Sequence, residues 1–162
     1  MLVPAFAQEN KNPSGFSLPR FVSVRSEPTN VRVGPGTQYD VAWVFVKSEL
    51  PVEIIQEFDT WRKIRDLDGA EGWVHKSLLT GHRMAYVAPW NADAKIPLRA
   101  RGQSEARVRA WLTSNYLVSV EGCDGQYCAV SAKNTGNDGR STYTGYVEQS
   151  ALWGVYPNES FN

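Results

Sequence analysis

Hydrophobic positions in the first half of the chain recur with a period of two over short runs, and each run ends among glycine, proline, aspartate or asparagine. Phe21, Val22 and Val24 open the series. Val31 and Val33 share one face of an extended segment while Arg32 points the other way; Gly34-Pro35-Gly36 then ends it, because proline cannot donate to a ladder and glycine accepts positive φ. Val41, Trp43 and Phe45 lie on one parity and Val44 and Val46 on the other, so Val41 to Val46 reads as a strand buried on more than one side. Pro51 to Phe58 alternates with Val52 and Ile54 inward, and Asp59-Thr60 turns the chain into Trp61 to Arg65. Asp66-Leu67-Asp68-Gly69 supplies the next turn, and Gly72-Trp73-Val74 returns antiparallel. Lys76-Ser77-Leu78-Leu79 is short enough for a single 3₁₀ turn before a last strand. Short strands packed into about fifty residues, with no helical period, describe a small barrel.

Three pieces of this stretch carry a family resemblance. Asn30-Val31-Arg32-Val33-Gly34-Pro35 opens it, Trp61-Arg62-Lys63-Ile64 lies in the middle and Gly72-Trp73-Val74 followed by Leu78-Leu79 closes it. In this order and spacing they resemble the bacterial SH3-like domain, closest to the secreted SH3-domain proteins of alphaproteobacteria. That resemblance extends over most of the chain, including Trp153-Gly154-Val155-Tyr156-Pro157, and it implies an all-β fold and a binding role.

The second half repeats the first in weaker form. Tyr127-Cys128-Ala129-Val130 stands beside Trp61-Arg62-Lys63-Ile64 at an offset of 66 residues, as does Val118-Ser119-Val120 beside Val52-Glu53-Ile54. Gly145-Tyr146-Val147 stands beside Gly72-Trp73-Val74 at an offset of 73, the extra residues falling in the Gly- and Asn-rich Lys133 to Ser141. Pro97-Leu98-Arg99-Ala100 takes the place of the opening strand. The expected architecture is therefore all-β, two tandem small SH3-like barrels with the second degenerate. Residues 1–17 form a signal remnant and flexible lead-in, 18–82 the first barrel, 83–96 a linker with one strand-like piece at Met84 to Val87, 97–157 the second barrel and 158–162 a tail. One larger β domain is the alternative.

Charge narrows the partners. With 17 basic and 17 acidic residues there is no net field to steer nucleic acid or anionic lipid. At the N-terminus, Ala5-Phe6-Ala7 has the small alternate residues that signal peptidases accept, which places cleavage after Ala7 and the protein in the periplasm or secreted. The two cysteines agree: Cys123 and Cys128 flank the tight-turn pair Asp124-Gly125, a geometry suited to a disulfide in an oxidising compartment. The competing uses of cysteine fit less well. A metal site needs more ligands than His75 and His82 supply at their spacing, and a peptidase nucleophile needs a free thiolate. No other catalytic motif is present, Asp66, Asp68 and Glu71 read as a solvated hairpin tip, and no cofactor is implied.

The candidate binding surface follows from parity. Ile64 faces the core as the branched apolar residue of its strand, so Trp61 faces outward. Resemblance to SH3 domains places this Trp on the floor of a peptide groove, with Tyr39 and His75 as neighbours and Tyr127 replacing it in the second barrel. The Tyr and Pro walls that hold polyproline in eukaryotic SH3 domains are missing, which speaks against that ligand class. Trp43, Trp73 and Trp111 sit among apolar strand residues and read as core or inter-barrel contacts, and Arg32 as a salt bridge fixing the Gly34 loop. Three function classes compete: a non-catalytic cell-envelope module that recognises peptidoglycan peptides or a partner protein; an enzyme such as a wall hydrolase, which needs a catalytic domain for which two repeats leave no room; and a scaffold whose grooves are covered by the linker, for instance Trp61 by Trp90, or by the other barrel.

Overall fold

The computed structural model describes residues 12–134, 136, 139 and 141–162. The expected signal remnant and part of the Lys133 to Ser141 tip lie outside these. Among the described residues there is no α-helix. The first seven strands are β1 (Arg20–Val24), β2 (Thr29–Arg32), β3 (Val41–Phe45), β4 (Pro51–Phe58), β5 (Trp61–Arg65), β6 (Glu71–His75) and β7 (Leu79–Thr80), with a 3₁₀ turn at Lys76–Leu78. They form one antiparallel sheet in the order β3-β2-β6-β5-β4-β1-β7. The rest are β8 (Met84–Val87), β9 (Lys95–Arg99), β10 (Val108–Thr113), β11 (Leu117–Asp124), β12 (Tyr127–Lys133), β13 (Thr142–Glu148), β14 (Leu152–Trp153) and β15 (Ser160–Phe161), with a 3₁₀ turn at Gln149–Ala151. The second sheet runs β10-β9-β13-β12-β11-β8-β14, the same order shifted by seven strands, and β15 adds to β11. All pairings among the described strands are antiparallel, and each sheet surrounds its own core, of buried valine, isoleucine and leucine in the first and of valine, leucine, alanine and the two cysteines in the second.

The likeness of the two sheets extends to single rungs. Ile54 pairs with Ile64 in the first and Val120 with Val130 in the second, each followed by a bulge at the next rung. Arg32 pairs with Trp73 and Arg99 with Tyr146. Gly72 and Gly145 occupy the same crowded position. A Cβ there would come within 2.4 Å of Val31 Cγ1 in one sheet and 2.5 Å of the Arg99 carbonyl in the other, so only glycine fits. Arg32 Nη1 donates to the Tyr39 carbonyl and Arg99 Nη1 to the Ala106 carbonyl, both at 2.9 Å. The second loop therefore keeps the geometry of the Gly34 loop without its Gly-Pro-Gly sequence. It also corrects the role of Arg32, which holds its loop by hydrogen bonds to carbonyls and not by a salt bridge.

Four further expectations change. Val41 to Val46 is not buried on several sides: β3 ends the strand order, and Val41, Val44 and Val46 are 42%, 41% and 75% exposed. Only Trp43 and Phe45 reach the core: Val44 and Val46 lie on the outer parity and meet water, and a register shift between the Val31–Trp43 and Arg32–Val41 rungs takes Val41 off the inner parity. Trp111, on the matching edge strand β10, is 60% exposed and not a core contact, while Trp73 is buried as expected. Met84–Val87 is no part of a linker. It pairs with β11 and β14, and Ala85 and Val87 are fully buried. Residues 12–17 are held rather than loose: the Ser14 backbone N–H donates to Glu57 Oε2 at 2.9 Å and the Ser14 hydroxyl to Glu57 Oε1 at 2.6 Å.

A seam joins the sheets. The Phe21 ring lies 5.1 Å from that of Trp153 and 4.7 Å from that of Tyr156. Tyr156 Oη donates to Glu53 Oε2 at 2.5 Å, and Arg65 Nη2 donates to the other oxygen of the same carboxylate at 2.5 Å. Burial, together with the Glu53 acceptor, pushes the Tyr156 phenol well above its ordinary range. Arg83 donates to Glu159 at 2.8 and 3.0 Å and to the Gly154 carbonyl at 2.8 Å, which anchors the C-terminal segment.

Candidate functional site

Three strands of the first sheet set Phe58, Trp61 and His75 in one row. Phe58 faces Trp61 across the mouth of the β4–β5 hairpin, and Trp61 faces His75 across β5 and β6. Residues directly opposed on antiparallel strands share a face. The Trp61 and His75 rings meet edge to face at 5.4 Å, Phe58 is 58% exposed, and Trp61 and His75 are half-buried. His75 also caps the 3₁₀ turn. Its Nδ1 accepts the Ser77 backbone N–H at 3.2 Å, which leaves the proton of the neutral ring on Nε2.

The corresponding row in the second sheet holds Asp124, Tyr127 and Glu148. Tyr127 faces Glu148 across β12 and β13. Asp124 Oδ1 accepts the backbone N–H groups of Tyr127 and Gln126, both at 2.8 Å, and these bonds hold its carboxyl below the usual carboxylate range. Beside this row opens a cleft of about 870 Å³. The 102–105 loop, the turn at Gly125, the 3₁₀ turn after Glu148 and Pro157-Asn158 are its walls. Gln149, only 4% exposed, ties them together: Nε2 donates to the Tyr156 and Glu159 carbonyls at 2.8 and 2.9 Å, and Oε1 accepts the Gly125 N–H at 3.0 Å. Glu105 and Glu148 line the cleft and, among the described residues, no lysine or arginine does.

Comparison with known proteins bears on the first of these rows. Residues 25–81 match the family model of the bacterial SH3 domain. All three motifs that carry the resemblance fall inside this bacterial SH3 segment, which spans β2 to β7; the second sheet and Trp153 to Pro157 fall outside it. The wider resemblance expected over most of the chain, and its alphaproteobacterial leaning, have no support in the match. No curated protein matches the chain. Among solved structures, the chain is similar to NlpC2 from Trichomonas vaginalis at 13% identity and a TM-score of 0.34, over 85% of this chain and 49% of that one. It is also similar to NlpC1 from Trichomonas vaginalis at 14% identity and a TM-score of 0.33, over 93% of this chain and 51% of that one. The chain thus spans about half the length of these structures.

Of the four expected site residues, the bacterial SH3 segment brings Trp61 and His75 into contact. Tyr39 stands apart on the loop, 41% exposed, its ring so close over Gly34 that a Cβ there would approach it to 2.5 Å. Among the described residues no ring contact joins Tyr39 to Trp61. Tyr127 lies in the second sheet, against the 102–105 loop: a Cβ at Gly102 would come 3.3 Å from its own. Sequence reasoning missed Phe58, Glu105 and Glu148. The offset of 73 that pairs Trp73 with Tyr146 also pairs His75 with Glu148, so that signal was available.

The cysteines form the expected bridge. Cys123 and Cys128 are cross-strand partners with Cα atoms 4.1 Å apart, joined by a disulfide. No free thiol is left. A bacterial SH3 domain and a disulfide together point to an extracytoplasmic protein. Among the described residues no cluster of His, Cys, Asp and Glu could hold a metal, and no helix is long and apolar enough to cross a membrane.

Proposed function

We propose that the protein is a non-catalytic binding module of the cell envelope that recognises a peptidoglycan peptide or an envelope protein through the Phe58-Trp61-His75 row. It works in the periplasm or outside the cell, with its leader cleaved after Ala7, and it engages neither nucleic acid nor the membrane interior. The second sheet is a diverged copy of the first, and the boundary between the two units falls near residue 82. One observation carries the proposal: an aromatic row on the outer face of the bacterial SH3 segment, with Phe58 58% exposed and the Trp61 ring meeting, among the rings of the described residues, only that of His75, edge to face. An exposed aromatic supplies contact area at little entropic cost, which is why such residues dominate binding surfaces. Tyr39 and, in the second unit, Tyr127 are assigned to the rims of the two grooves.

The seam favours a second reading, a scaffold, since Tyr156, Glu53 and Phe21 lock the sheets together. That seam does not include Trp61, and Trp90, which would have to cover it, is itself 62% exposed. Trp61→Ala distinguishes the two. Under the binding reading it abolishes retention on isolated peptidoglycan or capture of an envelope partner while the melting temperature stays within a few degrees. A destabilised protein with unchanged binding defeats the groove.

A further inference from the structure

Where the two sheets meet there is a second concavity, about 490 Å³, that no step of the groove reading uses. Val22, Ile54 and Leu79 of the first sheet and Phe161 of β15 supply apolar surface, and Phe16 and Phe21 extend it. Among the described residues, every charged one in its lining is a cation: Arg20, Arg62, Lys76 and Arg83. Two carboxylates stand behind them. Glu57 takes Arg20 at 2.6 Å and Arg62 at 3.5 Å, and Glu159 takes Arg83 at 2.8 Å, so Lys76 has no carboxylate partner among the described residues. Two of the guanidinium groups also lie over aromatic faces, Arg20 5.2 Å from the Phe16 centroid and Arg83 4.5 Å from the Phe161 centroid, and Arg83 Nε is buried with no acceptor among the described residues.

Apolar walls, a volume in the range of small-ligand sites, a position between two packed units and a few convergent polar groups are the usual marks of a ligand cavity. Here the polar groups all have one sign. We propose that this cavity binds a free single-chain amphiphile with an anionic head, its chain against Phe16, Phe21, Leu79 and Phe161 and its head at Lys76 and the neighbouring guanidinium groups. The excess of positive charge selects the head, and the apolar lining rejects a small inorganic anion. This site does not depend on the Trp61 row.

Calorimetric titration with dodecanoate below its micelle concentration tests it. One molecule should bind per chain, dodecyltrimethylammonium should bind at least tenfold more weakly, and inorganic phosphate should not bind detectably. Lys76→Glu and Phe16→Ser alter exposed side chains and should each weaken dodecanoate at least tenfold with an unchanged melting temperature. Trp61→Ala should leave it as it was, so failure here and failure of the groove reading are separable. Equal binding of the cationic amphiphile, or full binding by both variants, overturns the proposal. So does adsorption to phosphatidylglycerol vesicles without one-to-one binding of dodecanoate, since that would assign the charges to a surface.

Discussion

At the rung beside the β4–β5 turn, the first sheet places Glu57 opposite Arg62; at the same rung of the second, Cys123 lies opposite Cys128. One position in one topology is closed by an ion pair in the first case and by a covalent bond in the second. Both are shielded: Glu57 and Arg62 side chains are 0% and 7% exposed, and the cysteines 6% and 0%. The two ties differ in what breaks them: acid or salt for the ion pair, reductant for the disulfide. The rows diverge as well. Phe58, Trp61 and His75 give the first sheet an aromatic face, whereas Asp124, Tyr127 and Glu148 give the second an acidic one. A shared topology with different surface chemistry is the case in which function has to be argued from the site and not from the fold.

The largest expected effect tests whether the two cores are equivalent. Ile64→Ala removes fully buried apolar volume and should cost about 2–5 kcal/mol. Val130→Ala at the matching rung should cost less, since fewer carbons are lost. Urea midpoints measure both, and a larger loss at Val130 would break the equivalence.

Reduction of the disulfide comes next. The bridged loop is short, so the chain-entropy account gives about 2 kcal/mol, and the reduced protein should stay folded. Alkylation of the unreduced protein followed by mass measurement should find no labelled thiol. Hydrogen exchange under reduction should speed up around β11 and β12 and leave β4 and β5 unchanged; the reverse pattern would contradict the assignment of the two ties.

Acid should act on carboxylates of both units. Burial raises the Glu57 carboxyl, but the hydrogen bonds from Ser14 and Arg20 outweigh it and hold the group below its ordinary value of 4.5. Glu159 is lowered in the same way, burial being outweighed by Arg83 and the Tyr156 N–H. A carboxylate with a lowered value in the folded state stabilises above its unfolded value, and that stability is lost as pH falls through the folded one. The melting temperature should therefore drop as pH decreases below about 4.5, with a shallower dependence in Ser14→Ala. The seam gives the opposite sign. Tyr156 is raised, so its contribution is intact below the ordinary phenol value of 10.0 and declines above it. Tyr156→Phe should cost about 1.5 kcal/mol at neutral pH and flatten the alkaline decline.

Much of the first sheet, and the β11–β12 hairpin of the second, was legible because the signals are local: alternation in Pro51 to Phe58, the Asp66-Leu67-Asp68-Gly69 turn and the tight pair between the cysteines depend on neighbouring residues. The edge strand was not, since an apolar run such as Val41 to Val46 looks the same whether one side or two are covered. Met84–Val87 reads as strand-like, but its place in the second sheet rests on pairing with β11 and β14, more than thirty residues away, for which four residues carry no signal. The seam required contacts across 103 residues, as between Tyr156 and Glu53, for which one sequence holds no signal. Of the site, Trp61 and His75 could be read from parity and from the motif. The acidic row could have been found only by carrying the repeat offset one residue beyond Val147.

The central claim is that recognition belongs to the aromatic row of the bacterial SH3 segment, and it is tested most directly by comparing Trp61→Ala with Tyr127→Ala on one preparation of isolated peptidoglycan and its envelope extract. The two residues occupy equivalent rungs, so each variant is the other's control for folding, with melting recorded alongside. The account predicts that Trp61→Ala abolishes binding and Tyr127→Ala keeps most of it, both with near-native melting temperatures. Retention by Trp61→Ala together with loss by Tyr127→Ala would contradict it.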